Sequence, residues 1–414
     1  MAREEYENII VGLDIGTTKI CSIIGEVDDE NHVNIIGIGT SPSHGLRKGV
    51  VVNIENTVES IKKAVADASR MAGVEIGSVY AGIAGGHIKG LNSRAMIAIT
   101  KGEKEITKED VERVIDAAKA VAIPLDREVI HILPQEFIVD NQDGIKDPVG
   151  MTAVRLEAEV HIVTAAVTSA QNIVRSVEKA ELFVEDIVLQ PLASSEAVLS
   201  QDERDLGVVM VDIGGGTTDI AIFVDGGIWH TGVISIGGNQ VTGDIAIGLR
   251  TPTTEAEELK KKYGCALASL INESEEVKVP GVGGRADRSV PRRAIAEIIQ
   301  PRMEEIFELV VQEVRLNGFE DRVASGIVVT GGASLLEGIV ELSEKVTGMP
   351  TRVGTPIGIG GLVDVVNNPI YATGVGLILY GVKNRTSGKG LRFTGGGPFE
   401  RILGRMKQWF SEFF

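Results

Sequence analysis

The stretch Leu13-Asp14-Ile15-Gly16-Thr17-Thr18-Lys19 decides the fold, because its pattern returns as Val211-Asp212-Ile213-Gly214-Gly215-Gly216-Thr217-Thr218-Asp219. Each stretch lies between two apolar, β-branched runs, such as Ile9–Val11 before the first and Ile220–Val224 after the second. Two such runs joined by a glycine-rich turn predict a β-hairpin. Two hairpins of the same design predict two related halves of the protein with a nucleotide held between them.

The residue types in these two turns suit phosphate binding. Glycine lets the backbone approach phosphate oxygens closely, and threonine hydroxyls together with successive amide N–H groups form a nest for an anion. Asp14 and Asp212 would repel the phosphates, and a Mg²⁺ ion held largely through its own waters would remove that repulsion. An ordinary Asp-Gly turn explains one such stretch equally well. Two stretches in the same strand context favour phosphate binding.

The composition limits the class of protein. A chain of 414 residues indicates at least two domains, and its 50 glycines and 4% aromatic residues are typical of an α/β protein with tight turns. The net charge of −17 argues against non-specific nucleic-acid binding, which needs a positive field. Two cysteines cannot build a disulfide framework, and no signal peptide or membrane-spanning run is present. We therefore expect a cytoplasmic protein.

The sequence pattern between residues 85 and 164 differs from that of the preceding residues, which predicts a small inserted subdomain. Within it, Thr107 and the acidic residues that follow predict a helix that continues through Val121. In the second half, the spacing of apolar and charged residues predicts helices over Thr254–Tyr263 and Ala294–Leu316.

Four arginines lie between these two helices: Arg285, Arg288, Arg292 and Arg293. A solvated loop explains most of them. In an acidic protein, however, a local basic patch also suits the binding of an acidic peptide.

The order of these features resembles the actin, sugar-kinase and heat-shock-chaperone ATPase superfamily across nearly the whole chain. It runs from the first glycine-rich stretch through Gln190-Pro191, the second stretch and the Gly331-Gly332 turn to residues 369–376. Within that superfamily the chain resembles the FtsA family of bacterial cell-division proteins. The stretches that carry this closer resemblance are Val11-Gly12-Leu13-Asp14-Ile15-Gly16-Thr17-Thr18-Lys19-Ile20-Cys21, Ile130-His131-Ile132-Leu133-Pro134-Gln135-Glu136-Phe137 and Gly144-Ile145-Lys146-Asp147-Pro148-Val149-Gly150-Met151.

The resemblance implies an α/β protein with an actin-like two-lobed ATPase fold, an FtsA-type inserted subdomain and a C-terminal amphipathic helix. It also implies a division into successive parts: 1–84 (subdomain 1A of lobe 1), 85–164 (inserted subdomain 1C), 165–205 (1A), 206–237 (subdomain 2A of lobe 2), 238–317 (subdomain 2B), 318–366 (2A), 367–383 (1A), 384–398 (flexible linker) and 399–414 (membrane-targeting helix).

The resemblance further implies that ATP and Mg²⁺ bind in the central cleft. The residues expected to hold the phosphates are Gly16, Thr17, Thr18 and Lys19 on one side and Gly214, Gly215, Gly216, Thr217 and Thr218 on the other. The adenosine would meet Glu257, Lys260, Gly331 and Gly332.

Gln190 matches the position that orients the attacking water. Glutamine is a poor base, and the sequence indicates no further carboxylate that could act as the general base. We therefore expect at most slow ATP hydrolysis.

The end of the chain combines a linker-like composition over 384–398 with an amphipathic pattern over 399–414. Large apolar side chains fall on one face of a helix: Phe399, Ile402, Leu403, Met406, Trp409, Phe410 and Phe413. Such a helix either docks on its own protein or lies in a membrane interface, with nearby cations beside anionic lipid. The linker, the clustered aromatic residues and the resemblance favour the membrane.

Together these inferences predict a cytoskeletal adaptor. It would polymerise, tie the C-terminal tail of the tubulin-like protein FtsZ to the cytoplasmic face of the cell membrane at the division septum, and recruit later division proteins through residues 85–164. The resemblance places the FtsZ site on 238–317, where Arg288 and Arg302 are the candidate contacts. The alternatives are an actin-fold phosphotransferase or phosphatase, of the sugar-kinase or exopolyphosphatase kind, and another filament or assembly ATPase related to MreB or PilM.

Overall fold

The structure is a computed structural model that describes two ranges of the chain, residues 8–100 and 104–386. Its strands are β1 (Ile9–Ile15), β2 (Lys19–Val27), β3 (Val33–Pro42), β4 (Leu46–Arg47), β5 (Val50–Val51), β6 (Ser78–Ile83), β7 (Lys89–Ala98), β8 (Arg127–Val139), β9 (Gln142–Ile145), β10 (Arg155–Ala166), β11 (Phe183–Leu189), β12 (Val208–Ile213), β13 (Thr218–Val224), β14 (Gly227–Ile234), β15 (Glu276–Val279), β16 (Arg288–Pro291), β17 (Ile327–Thr330), β18 (Thr351–Val353) and β19 (Ile359–Gly361). Its helices are α1 (Ile54–Ala72), α2 (Lys108–Ala118), α3 (Val167–Lys179), α4 (Gln190–Val198), α5 (Gln201–Leu206), α6 (Gly238–Leu249), α7 (Thr253–Tyr263), α8 (Arg292–Leu316), α9 (Ile339–Thr347), α10 (Val363–Val366) and α11 (Ala372–Thr386).

The first lobe is built on a six-stranded sheet with the order β11-β6-β1-β2-β3-β19. Strands β1 and β2 form the predicted hairpin, and β6 pairs with β1 in parallel. The sheet is covered on both faces, because Ile23 of β2 lies against Gly374 of α11 whereas Ile24 lies on the α1 side. This double burial explains why the strands are continuous apolar runs and do not alternate with polar residues.

The second lobe repeats the arrangement with a five-stranded sheet, β14-β13-β12-β17-β18. Strands β12 and β13 form the second predicted hairpin, and β17 pairs with β12 in parallel. This lobe has its own buried apolar cluster, to which helices α6 and α8 contribute. The two glycine-rich turns therefore occupy equivalent positions in two similar lobes.

The inserted subdomain is a four-stranded antiparallel sheet, β7-β10-β8-β9, packed on α2. The predicted cap is confirmed, since the Thr107 side chain accepts from the Asp110 N–H and the Asp110 carboxylate accepts from the Thr107 N–H. The subdomain has a core of its own, yet Val163 and Ala165 at the end of β10 belong to the core of lobe 1. Helix α3 follows β10 without a linker.

The inserted subdomain also contacts the second lobe through buried polar groups. The His161 imidazole places Nδ1 2.6 Å from Asn92 Oδ1 and Nε2 2.9 Å from the Thr231 hydroxyl of β14. The Gln135 side-chain amide donates to the Trp229 carbonyl oxygen over 3.1 Å. Burial, with a smaller effect of His230, lowers the pKa of His161 to about 3, so the ring is neutral and can donate from one nitrogen while accepting at the other.

Helices α4 and α11 pack closely where the two lobes meet. A Cβ built on Gly376 of α11 would lie 1.8 Å from the Ala193 carbonyl oxygen of α4. Only glycine permits this separation, and the approach of the two helices brings Ser194 within 3.0 Å of Thr373, measured between the hydroxyl oxygens.

The predicted helices form with shifted ends. Helix α2 stops at Ala118, before the predicted end at Val121, and α8 begins at Arg292, before the predicted start at Ala294. Helix α11 runs to Thr386 and so includes the first three residues (384–386) of the predicted linker. The predicted tail helix, 399–414, lies outside the described residues. Within the described ranges, no helix is long and apolar enough to cross a bilayer.

Candidate functional site

The two glycine-rich turns both line a cavity of about 600 Å³ between the lobes. A Cβ built on Gly215 would lie 1.8 Å from the Thr18 hydroxyl oxygen, and one on Gly216 would lie 2.7 Å from that of Thr17. The turns thus touch directly, and glycine is the residue that allows it. This explains why the second turn carries glycine at both 215 and 216.

The cavity gathers most of the site residues predicted from the sequence. Its walls include Asp14, Gly16, Thr17, Thr18, Lys19, Gln190, Asp212, Gly214, Gly215, Gly216, Thr217, Glu257, Lys260, Gly331 and Gly332. Thr218 does not line the cavity. Its hydroxyl donates to the Ile236 carbonyl oxygen over 2.9 Å, because the residue belongs to β13 and its side chain is buried in the lobe.

Backbone hydrogen bonds close both turns. The Gly16 N–H donates to the Lys19 carbonyl oxygen over 3.0 Å, and the Gly214 N–H donates to the Thr217 carbonyl oxygen over 2.9 Å. The first N–H groups of α6 donate back to the second turn, with Asn239 reaching the Gly215 carbonyl oxygen over 2.7 Å. Helix α6 therefore begins at the turn, and its first residues, Gly238 and Asn239, line the cavity.

Lys19 binds its own lobe. Its ammonium group donates to the Ile370 carbonyl oxygen over 2.6 Å and lies 4.7 Å from the centre of the Tyr371 ring. These contacts hold the long side chain along one wall of the cavity, where Ile370 is also exposed to the cavity.

Two carboxylates stand at equivalent positions in the two hairpins. Asp14 accepts a hydrogen bond from the Gln190 side-chain amide over 3.1 Å, and Asp212 accepts one from Ser194 over 2.7 Å. Burial raises the pKa of Asp14 to about 6, with the Lys19 ammonium opposing the rise and Asp212 adding to it. Burial likewise raises the pKa of Asp212. The raised pKa values mean that negative charge in this cavity is costly without a cation.

Asp219 is a third cavity carboxylate, and the sequence analysis missed it. Its Oδ2 accepts from the Thr217 hydroxyl over 3.0 Å, while its Oδ1 is buried with no hydrogen-bond partner in the described structure. Burial, followed by the charges of Asp212 and Asp14, raises its pKa to about 8. The hairpin register contained the signal, since a tight turn pairs Asp219 with Asp212 across β12 and β13.

Glu257 and Lys260 lie together on the face of α7 that lines the cavity. The Lys260 ammonium is 2.7 Å from a Glu257 carboxylate oxygen and also donates to the Gly238 carbonyl oxygen over 3.0 Å. Burial works to raise the pKa of Glu257, but hydrogen bonds from Lys260 and Thr242 outweigh it and leave that pKa below its usual range. The pair therefore joins α7 to the start of α6.

Gly331 and Gly332 also line the cavity. Gly331 has φ 82° and ψ 175°, and a Cβ built there would lie 2.3 Å from Asp212 Oδ1. Gly332 has open space around it, with the Ile370 side chain 3.9 Å away as the nearest atom. The first glycine is required by the backbone, whereas the second leaves room for a ligand.

The predicted partner residues lie away from this cavity. Arg302 makes a two-pronged contact with Asp244, the shorter arm being 2.7 Å, and also binds Glu305. The Arg288 guanidinium donates to the Leu249 carbonyl oxygen. The predicted membrane residues, Phe399 to Phe413, lie outside the described ranges.

Comparison with known proteins agrees with this architecture. Residues 209–376 match the family model described as "Cell division protein FtsA", and residues 85–164 match the model described as "SHS2 domain inserted in FTSA". The cell division protein FtsA of Pseudomonas aeruginosa is 51% identical over 99% of both chains, and that of Escherichia coli K12 is 43% identical over 94% of both chains.

Solved structures show the same fold at low identity. The PilM–PilN type IV pilus biogenesis complex matches 90% of this chain and 98% of its own with a TM-score of 0.65 at 17% identity. MreB5 of Spiroplasma citri bound to ADP matches 92% of this chain and 99% of its own with a TM-score of 0.52 at 16% identity. The lobes thus have the actin-like ATPase fold, and near-complete matches at up to 51% identity show that the chain belongs to the FtsA family of cell division proteins.

Proposed function

We propose that this protein binds ATP between its lobes, polymerises, and ties FtsZ filaments to the cytoplasmic face of the cell membrane at the division septum. The observation that carries the nucleotide part is the pair of hairpin turns that meet across one cavity. Family membership supports a role in cell division, and the structural neighbour MreB5 of Spiroplasma citri, which is bound to ADP, supports a nucleotide in the cavity.

The phosphates would lie in the cavity against both turns, where backbone N–H groups and the hydroxyls of Thr17 and Thr18 are available. The adenosine would extend between the wall of Gly331 and Gly332 and the Glu257–Lys260 pair. The cavity volume of about 600 Å³ is within the range of small-molecule sites.

The donor set fits Mg²⁺. Asp14, Asp212 and Asp219 are buried carboxylates around one cavity, and Asp219 Oδ1 has no partner in the described structure. Mg²⁺ commonly takes one or two carboxylates together with water and phosphate oxygens. Asp14 and Asp212 would hold the ion, and Asp219 lines the same cavity. The ion would supply the positive charge that lets the phosphates approach all three acids.

Gln190 is proposed to orient the water that attacks the γ-phosphate. Its amide is fixed by Asp14 and its stem packs over Gly82, where a built Cβ would lie 3.1 Å from Gln190 Cγ. We expect Gln190→Ala to lower the ATP hydrolysis rate at saturating ATP and Mg²⁺ about tenfold while ATP affinity in EDTA changes little, because the side chain acts on Asp14 and on water and not on the nucleotide. Single-turnover hydrolysis and fluorescent-nucleotide titration measure the two quantities.

The matched control is Gln201→Ala, which removes a glutamine on α5 that binds Asp205 outside the cavity. It should leave both quantities unchanged. Normal hydrolysis by Gln190→Ala would remove this assignment.

The FtsZ tail is proposed to bind subdomain 2B, residues 238–317, at its arginines. Arg288 is exposed, and Arg302 is half-buried between Asp244 and Glu305. An acidic peptide would compete with those two internal carboxylates for Arg302. Arg288 is therefore the more accessible of the two proposed contacts.

Membrane attachment is proposed for the C-terminal pattern of seven apolar residues. Burying them at about 1.5 kcal/mol or more each would suffice for reversible binding after ordering costs.

We expect the full chain, with ATP and Mg²⁺, to sediment with vesicles that contain phosphatidylglycerol and to form filaments on them in electron micrographs. A chain ending at Thr386, where α11 ends, should stay in the supernatant.

The control of equal length is the full chain with Trp409→Glu and Phe410→Glu, which should also stay soluble. If the shortened chain sedimented as well as the full one, the tail would not be the anchor. If the shortened chain still bound ATP but no longer bound vesicles, membrane attachment would depend on the tail and ATP binding would not.

A further inference from the structure

Asp212 of the second lobe is held by two hydroxyl groups from helices at the lobe junction. The Ser194 hydroxyl of α4 donates to Asp212 Oδ2 over 2.7 Å, and the Thr373 hydroxyl of α11 donates to the same oxygen over 3.3 Å. All three side chains are buried, Ser194 completely. Both contacts therefore act on the same oxygen of this largely buried carboxylate.

Helix α4 contacts the acidic residue of both hairpins. Gln190 and Ser194 are four residues apart, so they project from the same face of the helix. Gln190 binds Asp14 of the first hairpin, and Ser194 binds Asp212 of the second. One helical turn thus spans the two carboxylates that stand at equivalent places in the two lobes.

The second oxygen of Asp212 has different surroundings. Asp212 Oδ1 lies beside Gly331, where a built Cβ would come within 2.3 Å of it, and both residues line the cavity. With Oδ2 held by Ser194 and Thr373, rotation of the carboxylate would break two hydrogen bonds to a charged group, which are among the stronger kinds.

We propose that Ser194 and Thr373 are positioning residues that hold Asp212 Oδ2 and thereby present Oδ1 to the cation that accompanies the nucleotide. This inference rests on the proposed binding of ATP with Mg²⁺. It gives the two helices a chemical role in the site beyond packing, and it ties the cation-binding carboxylate of lobe 2 to both helices of the junction.

The test measures how strongly Mg²⁺ tightens ATP binding, from titrations of the purified full chain with a fluorescent ATP analogue in excess Mg²⁺ and in EDTA. We expect Ser194→Ala and Thr373→Val each to weaken binding about tenfold in Mg²⁺ and to leave it nearly unchanged in EDTA. Thr373→Ser keeps the hydroxyl and should bind like the original chain.

The matched control is Ser195→Ala. Ser195 is the next residue of α4 and equally buried, but its hydroxyl donates to the Pro191 carbonyl oxygen within the helix over 2.7 Å. It should not change the effect of Mg²⁺. In a chain with Asp212→Asn, Ser194→Ala should add little, because its effect passes through that carboxylate.

If Ser194→Ala and Thr373→Val weakened ATP binding equally in Mg²⁺ and in EDTA, the positioning role would be overturned and a packing role would remain. The same would follow if Thr373→Ser bound ATP as weakly as Thr373→Val. Unchanged binding by both hydroxyl-deleted chains would also overturn it. Failure of the unsubstituted chain to bind ATP would instead overturn the proposed function, and the positioning role with it.

Discussion

Gly376→Ala is expected to lower the melting temperature of this protein by roughly 3 °C or more, since the added methyl group must displace backbone. Its Cβ would lie 1.8 Å from the Ala193 carbonyl oxygen and 2.3 Å from the carbonyl carbon. Neither atom can rotate away, so α11 and α4 must separate. Overpacking of this kind costs about 3 kcal/mol when backbone has to move. Thermal unfolding followed by circular dichroism measures the shift.

Gly243→Ala is the matched control, because Gly243 is also a helical glycine but has nothing within 4 Å of a built Cβ. There alanine should raise the melting temperature slightly, as alanine favours the helix by about 1 kcal/mol over glycine. The same chemical change should therefore shift stability in opposite directions at the two sites. A melting temperature for Gly376→Ala equal to that of the unsubstituted chain would show that the helices pack less closely than described.

Gly331→Ala is expected to weaken ATP binding about 100-fold or more, which corresponds to about 2.7 kcal/mol. With φ 82° and ψ 175°, this residue occupies a region of backbone conformation that is essentially restricted to glycine. The new methyl group would also lie 2.3 Å from Asp212 Oδ1 and 2.7 Å from the Ile213 carbonyl oxygen. Relief of either contact would move the Asp212 carboxylate or the wall of the cavity. Titration with a fluorescent ATP analogue measures the loss.

Gly332→Ala separates the effect of strain from that of the ligand. The nearest atom to its built Cβ is 3.9 Å away, and its φ is not in the positive range, so the free protein should tolerate alanine. Any loss of ATP affinity in this chain would then report a nucleotide lying against that backbone. If Gly331→Ala bound ATP normally, the cavity would not be the nucleotide site.

Local patterns in the sequence predicted the parts of this fold that depend on neighbouring residues. The two hairpins follow from β-branched runs on either side of glycine turns, and both occur where predicted. The Thr107 capping box likewise depends on a four-residue motif and is present. Helix ends were less predictable, because packing decides them. Helix α8, for example, begins at Arg292, two residues before the predicted start at Ala294.

The contacts that complete the site depend on distant parts of the chain. Ser194 and Thr373 are 179 positions apart, yet their hydroxyl oxygens are 3.0 Å apart. No local sequence pattern predicts this contact, because it results from the close packing of α4 and α11 that Gly376 allows. Asp219 differs, because the register of a short hairpin places it opposite Asp212. It could have been found by following the hairpin prediction one step further.

The bridge between the inserted subdomain and lobe 2 has a mechanical consequence. Strand β10 runs from the sheet of the insert into the core of lobe 1, and His161 on the same strand meets Thr231 of lobe 2. A load applied to the insert therefore reaches one lobe through a continuous strand and the other through separate side-chain hydrogen bonds, which Asn92, Gln135 and His161 make to β14. Because side-chain hydrogen bonds break more readily than a continuous strand, the insert would move with lobe 1 if the two lobes shifted relative to each other.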